Sequence, residues 1–188
     1  DGVRFKVFSP EVTPGFPGNR ITSVFEDSRR ELWFGVEGGG AGRLRHGKIA
    51  ASTKLPDGIG TVTCIAEDAS GAMWFGTQTG EVIRYAGGLT RVFDRRDGLP
   101  GEPVRGLGAD AEGLIWAVTA QWFGTLQNER FERHAWSAPG NHALAARRSG
   151  GVWLANGNGL AVLSRDGGQL SQQFPDELSA AAVPTESV

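Results

Sequence analysis

Cysteine is nearly missing from this 188-residue sequence: Cys64 stands alone, which excludes an internal disulfide and leaves cysteine usage silent about the redox compartment. An excess of one charge is missing too. The formal net charge is −2, so the overall balance gives no electrostatic case for nucleic acid or for an anionic membrane surface. Long hydrophobic runs are absent. The nearest candidate, LIWAVTAQWFGTL, follows Asp110 and Glu112 and falls short of the roughly 20 apolar residues that a membrane helix needs. Helical stretches are lacking as well, since no segment keeps helical spacing for about ten residues without a breaker. The opening DGVRFKVFSP carries neither an initiating Met nor a signal peptide, and the chain is expected to be a piece of something longer.

What the chain has in quantity is glycine, 29 residues, beside an ordinary 9 prolines, which points to many tight turns rather than a disordered tract. A hydrophobic fraction of 39% is enough to bury a core. It also has an internal repeat. Trp33, Trp74, Trp116 and Trp153 recur at intervals of 41, 42 and 37 residues. An Asp precedes the first three by six positions (Asp27, Asp68, Asp110), with Arg147 in the fourth copy. Gly71, Gly113 and Gly150 stand three before the last three Trp, with Arg30 in the first copy.

A period near 40 residues has two main physical solutions, stacked helix pairs or four-stranded propeller blades. The apolar segments here are short, bounded by Gly-rich turns, and rich in Val, Ile, Phe, Trp and Thr, which favours strands. The second copy divides into VTCIAED, AMWFGT, EVIRYA and LTRVFD; the first into ITSVFED, ELWFGV, AGRLRH and KIAAS. The third divides into VRGLGAD, LIWAVT, FGTLQN and RFERHA, and the fourth into HALAARR, GVWLAN, LAVLSR and QLSQQF. The fold class is therefore all-β, a β-propeller with blades at 21–53, 62–94, 104–135 and 142–174. VRFKVFS, within 1–10, reads as the outer strand of a preceding blade, and 178–188 as the start of a following one.

In the first strand of each copy a small residue (Ser23, Cys64, Gly106, Ala143) is followed by an aliphatic one (Val24, Ile65, Leu107, Leu144). A radial blade is narrowest at the axis, so the small column is expected there and the aliphatic one against the adjacent blade. The Trp then fills the wider gap between blades, where burying an indole removes about 150–250 Å² from water. A ligand-stacking role for all four Trp conflicts with burial between neighbours. Cys64, a member of the small column, reads as a packing thiol.

The phrase VTCIAEDASGAMWFGTQTG resembles the repeat of the two-component regulator propeller family, and RVFDRRDGLPGEPV resembles that family's link between blades. The third copy departs from the pattern with GLIWAVTAQWFGTL, and the fourth with Arg147 and WLANGNGL. The resemblance implies an extracytoplasmic (periplasmic) sensor of a bacterial signalling protein, membrane-anchored and linked to a histidine kinase or diguanylate cyclase. It also implies about seven blades, so the four here need partners, because open blade faces leave apolar surface and unpaired edges.

Catalytic chemistry finds no motif. His46, His134 and His142 lie in no metal-ligand spacing, so no metal or cofactor is expected. Glu26–Asp27 and Glu67–Asp68 each precede a turn, where an Asp caps backbone N–H groups, and a turn-building Asp repeats with the blade. GVEGGGAGR lacks the Lys-Ser/Thr of a phosphate loop. RHGK and DRRDG are short basic clusters that read as solvated loops.

Three functions fit such a chain: a ligand-binding sensor module, a propeller enzyme of the lyase or lactonase kind, and a protein-interaction scaffold. Propellers place ligands at one end of the central channel, on loops joining blades and loops after the second strand. Residues that break the repeat are the candidates for a sugar- or anion-accepting mouth: Arg105 and His142, in the column of Thr22 and Thr63 on the face opposite the small residues, and the extra aromatics Trp122 and Trp136. The partners expected are a small-molecule or glycan ligand and the remaining blades; nucleic acid is not expected.

Overall fold

The structure is a computed structural model that describes residues 6–38, 40–53, 55–56, 58–134, 143–147, 150–156, 159–166 and 169–173. Sixteen strands form four antiparallel four-stranded sheets, each built from strands consecutive in the chain. The first sheet holds β1 (Ile21–Glu26), β2 (Leu32–Val36), β3 (Ala41–Arg45) and β4 (Lys48–Thr53). The second holds β5 (Val62–Glu67), β6 (Met73–Thr77), β7 (Val82–Ala86) and β8 (Leu89–Phe93). The third holds β9 (Gly106–Ala109), β10 (Ile115–Val118), β11 (Phe123–Gln127) and β12 (Arg130–Arg133). The fourth holds β13 (Ala143–Ala146), β14 (Val152–Asn156), β15 (Gly159–Asp166) and β16 (Gln169–Gln173). The first strand of each sheet lies against the first strand of the next, β1 on β5, β5 on β9 and β9 on β13, which is the arrangement of propeller blades around an axis.

The indoles seal the seams. Trp33 packs with Ile65, Met73, Phe75 and Ile83 of the second blade. Trp74 packs with Leu107 and Ile115 of the third, and Trp116 with Val152, Leu154 and Leu163 of the fourth. Trp33, Trp74 and Trp116 are buried, and Trp153, on the last blade, is half-buried. Ile65, Leu107 and Leu144 of the aliphatic column behave as expected, each resting on the Trp cluster of the blade before it, whereas Val24 of the first blade is exposed.

The small column does not face the axis. It faces the following blade, because neighbouring inner strands approach too closely for larger groups. A Cβ added at Gly76, the partner of Cys64 across β5–β6, would lie 2.5 Å from Cys64 Sγ and 2.7 Å from Val104 Cγ1 of the third blade. Burial between these groups pushes the Cys64 thiol up to about 12, against the opposing hydrogen bonds from Thr63 and Gly76, so it is a packing group.

The link between the second and third blades contains a single 3-10 turn, Arg95–Asp97, inside DRRDG. Asp94 caps its start, its carboxylate accepting from Arg96 N while Asp97 accepts from Asp94 N. Gly98 ends it at φ +97, with the Phe131 carbonyl where a Cβ would stand. Of the expected outer strand in VRFKVFS, residues 6–9 are outside any strand and residues 3–5 lie outside the described residues. Residues 178–188 lie outside the described residues.

Candidate functional site

Each sheet has two ends. At one lie the turns from first to second strand and from third to fourth; at the other lie the links between blades and the loops after the second strand. At the second end a cavity of about 540 Å³ crosses three successive blades. The first contributes Thr22 and Glu37, the second Thr61, Thr63 and Gln78, the third Pro103, Val104 and Arg105.

The register explains how these side chains meet. In β1 and β5 the pairing slips between Ile21 and Ser23 and between Val62 and Cys64, leaving Thr22 and Thr63 as bulged residues. The bulge re-aims both threonines at the following blade instead of the face opposite the small column. Thr22 Oγ1 donates to Val62 O at 2.5 Å, and Thr63 Oγ1 donates to Val104 O at 2.5 Å. Each hydroxyl thus closes a seam at the rim, by satisfying a carbonyl at the start of β5 (Val62) or in the link just before β9 (Val104). Arg105 holds the same column in the third blade, where its amide donates to Val118 O at 2.8 Å and the residue is exposed at the cavity. Around the mouth, Thr61 Oγ1 accepts from Gly38 N at 3.1 Å, and Glu37 pairs with Arg20 at 2.9 Å on exposed surface.

The other mouth candidates divide differently. Trp122 is 6% exposed and belongs to the core between the second and third blades, packing edge-on to Phe131 with centroids 6.2 Å apart. Its ring occupies the space that a side chain at Gly124 would need. It therefore cannot stack a ligand at the rim, and its presence outside the Trp ladder reflects a core gap rather than a mouth. Trp136 and His142 lie outside the described residues. Among the described residues no three His, Cys, Asp or Glu side chains converge as a metal site.

The repeated Asp carries a bond that turn chemistry alone does not suggest. Asp27 Oδ1 accepts from Arg29 N and Glu31 N at 2.9 and 2.8 Å, and Oδ2 accepts from Trp33 Nε1 at 2.9 Å. Asp68 binds Ser70 N, Ala72 N and Trp74 Nε1 in the same way, and Asp110 binds Glu112 N, Leu114 N and Trp116 Nε1. The six-residue spacing from Asp to Trp was the signal. In the fourth copy Arg147 instead lies over the Trp153 ring, 5.2 Å from its centroid.

These observations meet the comparisons with known proteins at one point. The two component regulator propeller family model matches residues 15–38 and 58–79, which include the whole of the first two Asp–Trp clasps. Two of this chain's repeats are two component regulator propeller repeats. The chain is also similar to the extracellular domain of a hybrid two component system from B. thetaiotaomicron, at 22% identity and a TM-score of 0.69 over 83% of this chain and 23% of that one. Virginiamycin B lyase from Staphylococcus aureus gives 19% identity and a TM-score of 0.67 over 85% of this chain and 57% of the lyase. The WD40 propeller of Doa1 gives 14% identity and a TM-score of 0.65 over 82% and 54%. At such identities the likeness is one of fold, and it spans under a quarter of the two component structure. No curated protein matches the sequence. No helix among the described residues is long and apolar enough to cross a membrane.

Proposed function

We propose that this propeller segment is a ligand-sensing module of a bacterial two-component-type receptor, itself non-catalytic and acting on the extracytoplasmic side of a membrane-anchored protein. Further blades complete its ring, and a kinase or cyclase reads its state. The observation that carries the reading is the break at Arg105. Two regulator-type repeats use a threonine to close the seam at the rim, and the third puts a guanidinium there, at the wall of a cavity shared by three blades. A fixed cation in a concave polar mouth suits an acidic sugar or another small organic anion, which Arg can bind bidentately.

The test is a thermal-shift panel of neutral and acidic sugars on the full-length receptor. A carboxylated sugar is expected to raise the unfolding midpoint, and Arg105→Ala is expected to abolish that shift without changing the ligand-free midpoint by more than about 2 °C, the behaviour of a surface substitution. A shift that survives Arg105→Ala removes Arg105 from the site. A metal-dependent turnover of a lactone or cyclic peptide by the same protein would replace the sensor reading with the enzyme one.

A further inference from the structure

RHGK, residues 45–48, and the turn at 28–30 come together at the opposite end of the first blade from the rim cavity. There Arg29, Arg30, Arg43, Arg45 and His46 surround one acid, Glu31, in a cavity of about 380 Å³. Glu31 is buried and committed twice, to Arg43 Nη1 at 3.3 Å and to Arg45 Nε at 2.9 Å. Two more acids lie beside it: Asp27 has both oxygens occupied by backbone amides and Trp33, and Glu67, which lines a neighbouring cavity with Arg29 and Arg43, accepts from Ser28 N and Ser28 Oγ at 2.7 Å. Lys48 and Arg45 line an adjoining cavity, and the Lys6 ammonium reaches Gly47 O at 3.5 Å. On a chain whose formal net charge is −2, six cations, Lys6, Arg29, Arg30, Arg43, Arg45 and Lys48, here stand against three acids, Glu31, Asp27 and Glu67.

Two further observations separate it from an ordinary solvated edge. Arg30 adopts φ +61, a conformation that glycine takes without strain and that sister turns give to Gly71, Gly113 and Gly150. The first blade thus places an arginine where the others place no side chain. In the next turn His46 also takes a positive φ, +48, as Asn128 does at the same place in the third blade. Second, Arg43 Nε is buried with no hydrogen-bond acceptor, although the guanidinium lies over Trp33 at 5.1 Å. Its counterpart Arg84 turns Nε toward Asp68 at 3.8 Å, whereas Glu31 draws Arg43 off that line. Buried donors are rarely left without an acceptor, and an anion entering beside Arg29 supplies one.

We infer that this corner of the first blade is a binding site for a polyvalent oxyanion, the sulfate or phosphate ester groups of an acidic chain, separate from the rim cavity and independent of what that cavity binds. Arginine forks match such groups bidentately, and Lys6 and Lys48 extend the contact beyond one ester.

The test uses the full chain with dextran sulfate, unsulfated dextran and inorganic polyphosphate in titration calorimetry at low and high salt. Dextran sulfate or polyphosphate is expected to bind, dextran not, and whichever polyanion binds tighter identifies the oxyanion as sulfate or phosphate. Arg45→Glu with Lys48→Glu should weaken binding at least tenfold, while Arg130→Glu with Arg133→Glu, an equal charge change on β12, should weaken it less than about threefold. Circular dichroism and the unfolding midpoint check the fold of each; if the first pair fails to fold, Arg45→Gln with Lys48→Gln should still weaken binding several-fold. Equal loss in both pairs, equal binding of dextran, or no binding of either polyanion overturns the site.

Discussion

At the scale of single residues the repeated aspartate ties a turn to the indole that seals the seam. The turn itself does not need it. Arg147 N donates to Gly151 O and Gly150 N to Arg147 O, repeating the backbone bonds of Asp27, Asp68 and Asp110. What Arg147 cannot do is accept, so the carboxylate's contribution is the indole and the two amides beyond it. Removing a buried acceptor leaves those donors unpaired at about 1–3 kcal/mol. Asp68→Ala is therefore expected to cost about 2–4 kcal/mol in urea denaturation, with Asp68→Asn costing less because it keeps an acceptor. Conversely, Arg147→Asp installs the missing clasp, and a gain of about 1 kcal/mol is expected after the cation–π contact is lost; destabilisation would mean the fourth turn holds its Trp differently. The same bonds set an acid limit. Desolvation pushes the Asp27 and Asp68 carboxyls up, but the bonds from Trp33 and its neighbouring amides, and from Ser70, Trp74 and Ala72, outweigh it and hold both below the ordinary range. A depressed folded value means that this stability is fully present above the unfolded carboxylate value of about 3.9 and is lost as pH falls below it through the folded values. Midpoints measured from pH 5 to 2 should fall steeply for the parent chain and more shallowly for Asp27→Asn with Asp68→Asn.

At the scale of elements the strands were legible because two signals agreed: short Val-, Ile-, Phe- and Trp-rich runs and glycine at the turns between them. Strand ends read as ITSVFED or AMWFGT fall within one or two residues of β1 and β6. Three features were not legible. The bulges at Thr22 and Thr63 depend on pairing register, which a single strand's pattern does not carry, so the threonine column was placed on the wrong face. The 3-10 turn at Arg95–Asp97 hid in a segment read for its charge and as a link between blades, although Asp94 and Asp97 form a capping pair. Trp122 was read as a mouth aromatic because it breaks the repeat, yet it fills the space above Gly124. Trp122→Ala is accordingly expected to cost about 3–5 kcal/mol in denaturant unfolding, as a large core truncation does. A cost under about 1 kcal/mol would return the ring to the surface. Gly98→Ala should cost about 1–3 kcal/mol, since its left-handed φ and the facing Phe131 carbonyl both oppose a Cβ.

At the scale of the whole molecule, each blade completes its predecessor. Ile65 and Leu107 are 8% and 5% exposed because a Trp-bearing face precedes them, and Met73 is 3% exposed for the same reason. Their counterparts in the first blade, Val24 and Leu32, are 65% and 36% exposed. On that face Phe34 and Val36 are covered, Phe34 by Phe16 of the preceding link stacked at 5.1 Å. The face thus keeps the side chains of a seam without a seam, and a further blade offering an indole is the complement its pattern fits. The isolated chain should associate through it: sedimentation velocity is expected to show mass rising with concentration, and Val24→Lys with Leu32→Lys to hold the chain at the monomer mass. In the completed ring proposed above the sign reverses. There the two lysines would enter a buried seam, and the midpoint should fall, because unpaired charge replaces apolar contact. Lysines that leave both association and the completed ring's midpoint unchanged would mean that the first blade is an edge meant to face water.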